Sequence, residues 1–232
     1  MKKKKRYGYT NIMTMNEYHE QFPAAFPDFK PTVVHGKKVD RFHTPVRAVM
    51  AIMDPMMWNR DLQICCDVLR SNGHIGHLAK EGQQVVPIFM SCPDFEYVTE
   101  FAVPRFGSGT FGIILSFLYQ KLTSVELDVT WYGKPVATTY KCAEVELRSL
   151  ASDQGYDDIH RIYAVGDNPE SDIAGANAAG DHWTSIMVRT GMFTGSDNHD
   201  VHPADVVVGD VGDALAWILN AEEGAGGGNI QE

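Results

Sequence analysis

The sequence predicts an α/β protein whose second part is built on a parallel β-sheet. From residue 131 onward, short apolar strands alternate with helical segments, and this alternation favours parallel strands joined by helices. One of these strands, "RIYAVGD" (161–167), is a nearly continuous apolar run, which is typical of a strand buried on both faces. A change of pattern near residues 128–132 separates this part from a more mixed first part.

The composition is that of an ordinary globular protein. The 232 residues are 44% hydrophobic and 22% charged, and the formal net charge of −10 excludes a broad nucleic-acid surface. No apolar run approaches the roughly 20 residues that span a bilayer. The four cysteines have neither disulfide nor zinc spacing and fit a reducing compartment. The basic run 2–6 is read as a targeting or anionic-lipid patch or, preferably, as a solvated terminus, and no signal peptide is visible.

The first part contains three predicted helices and three predicted strands. "TNIMTMNEYHEQFP" (10–23) predicts a short strand followed by a helix start, with Asn16 as the candidate N-cap. The helix 58–73 has apolar residues at helical spacing, and Gly73 is placed at the C′ position. The remaining elements of this part are the strand 45–54, the strand 83–94 and the helix 109–122.

In the second part, strands and helices follow in regular order. The predicted elements are the helix 136–150, the strand 161–167, a helix over "SDIAGANAAG" (171–180), the strands 185–191 and 204–210, and the helix 212–220. The Gly-rich residues 223–232 are predicted to be a flexible tail.

The stretch "YAVGDNPESDIAGANAAG" (163–180) carries the strongest chemical signal. Asp167 directly follows a buried strand, and ligands of open parallel sheets bind beyond the carboxyl ends of the strands. Gly166 permits a tight turn, and Asp172 begins the next helix. Carboxylates in this position suit a hard cation such as Mg²⁺, although an isolated Gly-Asp pair is equally consistent with helix capping.

Lys134, in "YGKP" (132–135), lies between a glycine and a proline that restricts its conformation. A lysine in a turn usually lies on the surface. Here it precedes Asp167 by about 33 residues, with one predicted helix between them. In that position its ammonium could neutralise a phosphate or an acidic nucleophile as a point charge.

Together, "GKP", a helix and "YAVGDNPESDIAGAN" resemble motifs III and IV of the haloacid dehalogenase-like hydrolases. The resemblance is closest to subfamily IIA, and within it to the branch of the cat-eye-syndrome critical-region protein and its fungal relatives. It extends from about Tyr7 to Leu219 and includes the segments "DLQICCDVLRSNG", "PRFGSGTFGIILSFLYQKLT", "YGKPVATTYKCAE" and "SIMVRTGMF".

The resemblance implies a Rossmann-like core with a large α/β cap and a Mg²⁺-dependent phosphatase that forms an aspartyl-phosphate. By match, Lys134 is the charge-balancing lysine, Asp167 a Mg²⁺ ligand and Asp172 its supporting acid. Asn168 and Asp94, the latter in a loop that faces the active site in related caps, are candidate substrate contacts. The implied substrate is a small phosphorylated metabolite, without nucleic acid or a membrane span. The resemblance implies a mitochondrial location, with the cytoplasm as the alternative. Whether the chain forms a homo-oligomer is left open.

The family's first motif, Asp-x-Asp-Gly, is absent from these 232 residues, and the second motif has no convincing match. We therefore expect a cap over 1–130 and the C-terminal half of a core over 131–222, with an incomplete core sheet and no nucleophile. A truncated gene model, or a fragment whose other half is supplied elsewhere, would explain this pattern. An inactive relative acting as a binding or scaffold module, with a loose family link to glycerophospholipid metabolism, is the alternative.

Two further segments admit a chemical and a structural interpretation. "RFGSGTF" (105–111) is either a phosphate-cradling loop or, preferably, a helix entry, because it lacks the full P-loop pattern. "DNHDVHPAD" (197–205) places histidines among acids but without ligand spacing, so a solvated loop is favoured.

Overall fold

The computed structural model describes residues 8–9, 11–28, 44–79 and 84–226. The basic run 2–6 and the end of the predicted tail (227–232) lie outside them. The chain divides into two compact units, Met1–Phe89 with Phe111–Thr130, and Met90–Thr110 with Trp131–Glu232. Residues 90–110 therefore group with the second half of the chain. The assignment of 1–130 as a cap and 131–222 as half of a core stays a prediction.

Helices and strands are mixed along the chain, as in an α/β protein. In chain order they are α1 (Met15–Gln21), a 3₁₀ turn (Pro23–Ala25), β1 (Val49–Ala51), α2 (Trp58–Arg70), β2 (Ile88–Met90), β3 (Glu96–Tyr97), β4 (Arg105–Phe106), α3 (Ser108–Thr123), β5 (Val129–Trp131), α4 (Ala137–Asp153), β6 (Ile162–Gly166), a π-helical turn (Pro169–Ile173), α5 (Ala174–Ala179), β7 (Trp183–Val188), β8 (Val206–Val208) and α6 (Val211–Gly226).

The described strands form three sheets. One has the order β1-β2-β5, and β3 pairs with β4 as an antiparallel hairpin. The third has the order β6-β7-β8, with parallel pairing throughout. The predicted α/β class and the parallel sheet are confirmed. Only three strands form this parallel sheet among the described residues, so it is small, as an incomplete core sheet would be.

The start of α1 differs from the prediction. Thr14, not Asn16, is the N-cap: its hydroxyl accepts the N–H of Glu17 at 3.2 Å, and the Glu17 carboxylate accepts the N–H of Thr14 at 2.7 Å. This reciprocal pair satisfies two N–H groups that the helix start leaves unpaired. Asn16 instead accepts a hydrogen bond from Arg60 at 2.7 Å. Residues 11–14 form no strand, because the cap fixes them as the helix entry.

The end of α2 also differs by one position. Ser71 is the C-cap, so the C′ residue is Asn72, with φ 52°, and Gly73 follows it with φ 82°. The N–H of Gly73 donates to the carbonyl of Val68 at 3.3 Å, which closes the helix as a Schellman motif does. A β carbon on Gly73 would lie 2.1 Å from the carbonyl oxygen of Val46, so glycine is required there for both reasons.

The parallel sheet of the second unit is covered on both faces. Alternate residues of β7 point to opposite faces, so Met187 packs with Ile173 and Ala204, whereas Ile186 and Val188 pack with Ala214 of α6. The π-helical turn and α5 cover the first face and α6 covers the second. The last helix runs to Gly226, so the predicted tail is wrong over 223–226, which are helical.

Candidate functional site

The backbone of a following loop holds Asp167 at the carboxyl end of β6. Its Oδ2 accepts the N–H of Met192 at 2.7 Å, and its carbonyl accepts the N–H of Phe193 at 3.0 Å. This loop follows β7, so the two neighbouring parallel strands end at the same carboxylate. Gly191 makes the approach possible, because a β carbon there would lie 1.9 Å from Oδ2 of Asp167.

Asp172 holds Lys134. The Lys134 Nζ donates to Oδ1 of Asp172, and the other oxygen of that carboxylate accepts the N–H of Asn168 at 3.1 Å. Asp172 is largely buried and Lys134 about half exposed, with side-chain exposures of 13% and 48%. Burial acts to lower the pKa of Lys134, but the hydrogen bond to Asp172 and the negative charges of Asp172, Asp94 and Asp167 outweigh it and raise that pKa above its ordinary value. The lysine is therefore a cation at neutral pH.

Tyr140 of α4 fixes the backbone beneath Asp172. Its hydroxyl lies 3.0 Å from the carbonyl of Ser171 and 3.0 Å from that of Asp172, and donates to them. Its ring packs against Gly175, where a β carbon would lie 2.2 Å from the ring edge. Burial, and then the charges of Asp172 and Asp94, raise the pKa of Tyr140 to about 12, so it stays a neutral donor.

The turn that carries Lys134 is set by its glycine. Gly133 has φ 91°, and a β carbon on it would lie 2.5 Å from the carbonyl oxygen of Ser91. The adjacent Tyr132 donates its N–H to the carbonyl of Met90 at 2.8 Å. These contacts bring Lys134 beside the segment that contains Asp94. The residues that the sequence analysis selected are thus gathered in the second unit.

Asn168 and Asp94 line a cavity of about 370 Å³ next to these residues. The Asn168 side chain accepts the N–H of Glu170 at 3.0 Å and caps the π-helical turn. Its predicted role as a substrate contact stays a prediction, as does that of Asp94. The lining residues are Pro93, Asp94, Phe95, Glu96, Pro135, Asn168, Glu170, Ser171 and Met192.

The oxygen donors fit a magnesium ion in part. Asp167 offers a hard carboxylate at a sheet edge, which suits Mg²⁺. Both oxygens of Asp172 have protein partners, so its contacts fit a supporting role better than direct ligation. Within the described ranges, no group of three or more His, Cys, Asp or Glu side chains comes close enough to hold a metal. Further ligands would have to be water, substrate or residues from elsewhere.

The two remaining segments agree with their structural interpretations. The N–H groups of Gly107 and Gly109 donate to the carbonyls of Phe95 and Asp94, so they are used to join α3 to the hairpin. In the second segment, the His199 and His202 rings stack with centroids 6.1 Å apart, and His202 contacts Glu170 at 3.2 Å.

Sequence reasoning missed Gly191, Met192 and Tyr140. Met192 contributes a backbone N–H, which any residue other than proline supplies, so its identity carries no signal. Gly191 is the last residue of the predicted strand 185–191, and a glycine in a strand is a signal for close approach of the backbone to another group. Nothing in the sequence indicates that Tyr140 faces Asp172 rather than solvent.

Comparisons with known proteins show what this chain is similar to. Residues 131–214 match a protein-family model described as HAD-hydrolase-like. A cardiolipin synthase/mitochondrial hydrolase fusion protein of Schizosaccharomyces pombe is 38% identical over 178 residues, 76% of this chain and 29% of the relative. A mitochondrial hydrolase of Saccharomyces cerevisiae is 31% identical over 194 residues, 74% of this chain and 54% of the relative.

Residues 131–214 belong to the haloacid dehalogenase-like hydrolases. The chain spans about half, or less, of the length of these relatives. Among solved structures of the same fold, a hypothetical protein of Pyrococcus horikoshii OT3 matches with a TM-score of 0.52 at 21% identity, covering 75% of this chain and 54% of that one. In the part of the chain that the structure describes, no helix is both long and apolar enough to cross a bilayer.

Proposed function

We propose that this chain carries the metal-binding and charge-balancing part of a Mg²⁺-dependent phosphatase site that acts on small phosphate monoesters. The observation that carries this proposal is the Lys134–Asp172 ion pair beside Asp167, at the carboxyl ends of adjacent parallel strands. A positive and a negative group in that position suit an anionic substrate and a cation together.

Each residue has a distinct part in the proposed site. Lys134 neutralises charge on the phosphoryl oxygens, and Asp172 fixes the direction of its ammonium. Asp167 is a Mg²⁺ ligand, oriented by the N–H of Met192. When bound, Mg²⁺ supplies further stabilisation of negative charge on the phosphoryl group. Tyr140 keeps the turn that bears Asp172 in place through the two carbonyls it contacts.

The attacking carboxylate is proposed to come from outside the printed residues, which contain no Asp-x-Asp sequence. Among the described strands, β6 pairs with β7 only, so one edge of the parallel sheet is available. A further strand added at this edge would end next to Asp167, where a nucleophile has to lie. Both fungal relatives have mitochondrial hydrolase in their names, and on this basis we propose a mitochondrial location for this chain.

Hydrolysis of an aryl phosphate tests the proposal directly. The chain as printed should show no Mg²⁺-dependent turnover, whereas a longer form with an Asp-x-Asp segment ahead of Met1 should be active. Asp167→Asn in that form should abolish activity, and Asp197→Asn, in the loop after β7, is the matched control. Turnover by the printed chain that survives Asp167→Asn would contradict the assignment.

The absent Asp-x-Asp also favours a second candidate, an inactive relative that binds phosphorylated ligands without turning them over. This candidate predicts that no upstream extension restores hydrolysis, although the printed chain still binds a phosphate monoester through Lys134. Comparing binding with turnover in both forms therefore separates the two functions.

A further inference from the structure

We propose that the cavity beside Lys134 selects phosphate monoesters whose leaving group has an apolar body and carries a positive charge. This inference rests on the proposed function and names the substrate class of the same site. It follows from where the cavity lies, from what forms its walls and from the sign of the charges in them.

The cavity connects to the proposed phosphate position through two of its lining residues. Pro135 directly follows Lys134, and Met192 is the residue whose N–H holds Asp167. A phosphoryl group next to Lys134 and Asp167 would therefore direct its ester oxygen, and the leaving group beyond it, into this cavity. A volume of about 370 Å³ is at the small end of ligand sites, which suits a single ring or a short chain.

Much of the cavity wall is apolar and firmly held. Pro93, Phe95, Pro135 and Met192 contribute the apolar surface. The carbonyl of Phe95 accepts the N–H of Gly107 at 2.8 Å and the hydroxyl of Thr110 at 2.6 Å, and its ring lies edge-on to Phe106 with centroids 6.3 Å apart. Phe95 is itself 52% exposed, so its ring is available to a ligand. An apolar leaving group would cover this surface from water.

The charged residues of the wall are all acidic. Asp94, Glu96 and Glu170 line the cavity, and none of the lining residues is Lys, Arg or His. Glu170 contacts His202 at 3.2 Å, and Asp94 acts on Lys134. For Glu96, the structure records no ion pair with any described residue, so its carboxylate is the one left to meet a ligand cation. An anionic leaving group would be repelled by these three carboxylates.

A hydroxyl-rich leaving group fits this wall less well. The neutral polar lining residues are Asn168 and Ser171, and the side-chain oxygen of Asn168, Oδ1, already accepts the N–H of Glu170. Ser171 is buried, with 3% exposure. Several hydroxyls enclosed against proline, phenylalanine and methionine would lose their bonds to water without replacement. A cation on an apolar frame needs only the acidic end of the wall.

Equilibrium binding of phosphonates to the full printed chain, in Mg²⁺, tests this without requiring turnover. The probes are benzylphosphonates of one shape whose para substituent is aminomethyl, hydroxymethyl or carboxylate, measured by titration calorimetry. We expect the aminomethyl compound to bind at least about tenfold more tightly than the carboxylate, with the hydroxymethyl compound between them. Equal affinities, or tighter binding of the carboxylate, would overturn the inference.

Glu96→Gln should reduce that ratio to about threefold or less, whereas Glu100→Gln, on the same exposed hairpin but outside the cavity lining, should leave it unchanged. If the ratio is the same in Glu96→Gln as in the unaltered chain, this carboxylate is not the selector and the inference fails. Lys134→Met separates the two proposals. This substitution should weaken the binding of all three phosphonates by the same factor. If it has no effect on their affinities while the preference for the aminomethyl compound persists, the proposed function is contradicted and the inference about the cavity is not. Absence of binding by all three overturns the inference, whereas the proposed function is still decided by turnover of the longer form and its Asp167→Asn variant.

Discussion

A β carbon on Gly191 would lie 1.9 Å from Oδ2 of Asp167, so the loop after β7 fits the candidate metal ligand only because this residue has no side chain. The contact joins the ends of two parallel strands through one carboxylate and one N–H, that of Met192. The position of Asp167 is therefore determined by a residue 24 positions further along the chain.

Gly191→Ala should displace Asp167 and weaken metal binding by about tenfold or more, as loss of a group that orients a ligand does. Affinity for Mn²⁺, measured by electron paramagnetic resonance, checks this. Gly224→Ala is the control, because a β carbon there meets nothing within 4 Å. Equal Mn²⁺ affinities in the two variants would mean that Asp167 does not bind the metal.

The Lys134–Asp172 ion pair should contribute little to stability. Since Lys134 is about half exposed, we expect a double-mutant cycle of Lys134→Met and Asp172→Asn to give a coupling of no more than about 1 kcal/mol in the free energy of unfolding. Urea denaturation of the four proteins measures it. A coupling several times larger would indicate that the pair serves mainly to stabilise the fold, and would weaken the case for a site.

Tyr140→Phe should lower the free energy of unfolding by about 1–2 kcal/mol, because the carbonyls of Ser171 and Asp172 lose a buried donor. The same denaturation experiment applies. Tyr156→Phe is the matched control, since Tyr156 is 65% exposed, and should have no measurable effect. A similar loss in both variants would rule out these hydrogen bonds as the cause.

Stability should also fall at alkaline pH because of Tyr140. The unfolded chain loses the Tyr140 proton near the ordinary pKa of 10.0, whereas the folded protein keeps it until about 12. Between these values the unfolded state binds fewer protons, so the contribution is fully present below pH 10 and is lost as the pH rises towards 12. Tyr140→Phe should reduce this slope. Tyr18, whose pKa burial also raises to about 12, leaves a remaining slope in both proteins. An unchanged slope would contradict the prediction.

Hydrogen exchange along β6 tests whether another strand completes the sheet. Ile162 donates its N–H to the carbonyl of His182, on the β7 side, at 2.9 Å. Because N–H directions alternate along a strand, those of Tyr163 and Val165 point away from β7. They should exchange much faster than that of Ala164 in the printed chain, and become protected in a longer, active form. Equal protection of all three in the printed chain would argue against a free edge.

Much of the fold follows from local pattern. The alternation of apolar strands and helices predicted the α/β class and the parallel sheet. The reason is that helices connecting parallel strands cover both faces of the sheet, so each strand is apolar on both sides. Local competition was harder to judge: Thr14 and Asn16 are both good caps, and only the return bond from Glu17 favours Thr14. Gly73 was predicted to be the C′ residue, but Asn72 also adopts a positive φ and occupies C′, so Gly73 is the residue after it.

By itself, the sequence predicted the family resemblance, the parallel sheet and the candidate residues Lys134, Asp167 and Asp172. Only the tertiary structure decided which of them meet. Lys134 and Asp172 are 38 positions apart. Their contact depends on the turn that Gly133 permits and on the π-helical turn whose carbonyls accept the hydroxyl of Tyr140. Residue types and spacings act along the chain, whereas an ion pair requires two side chains to reach the same point in space. Packing of the strands and helices between them sets that point.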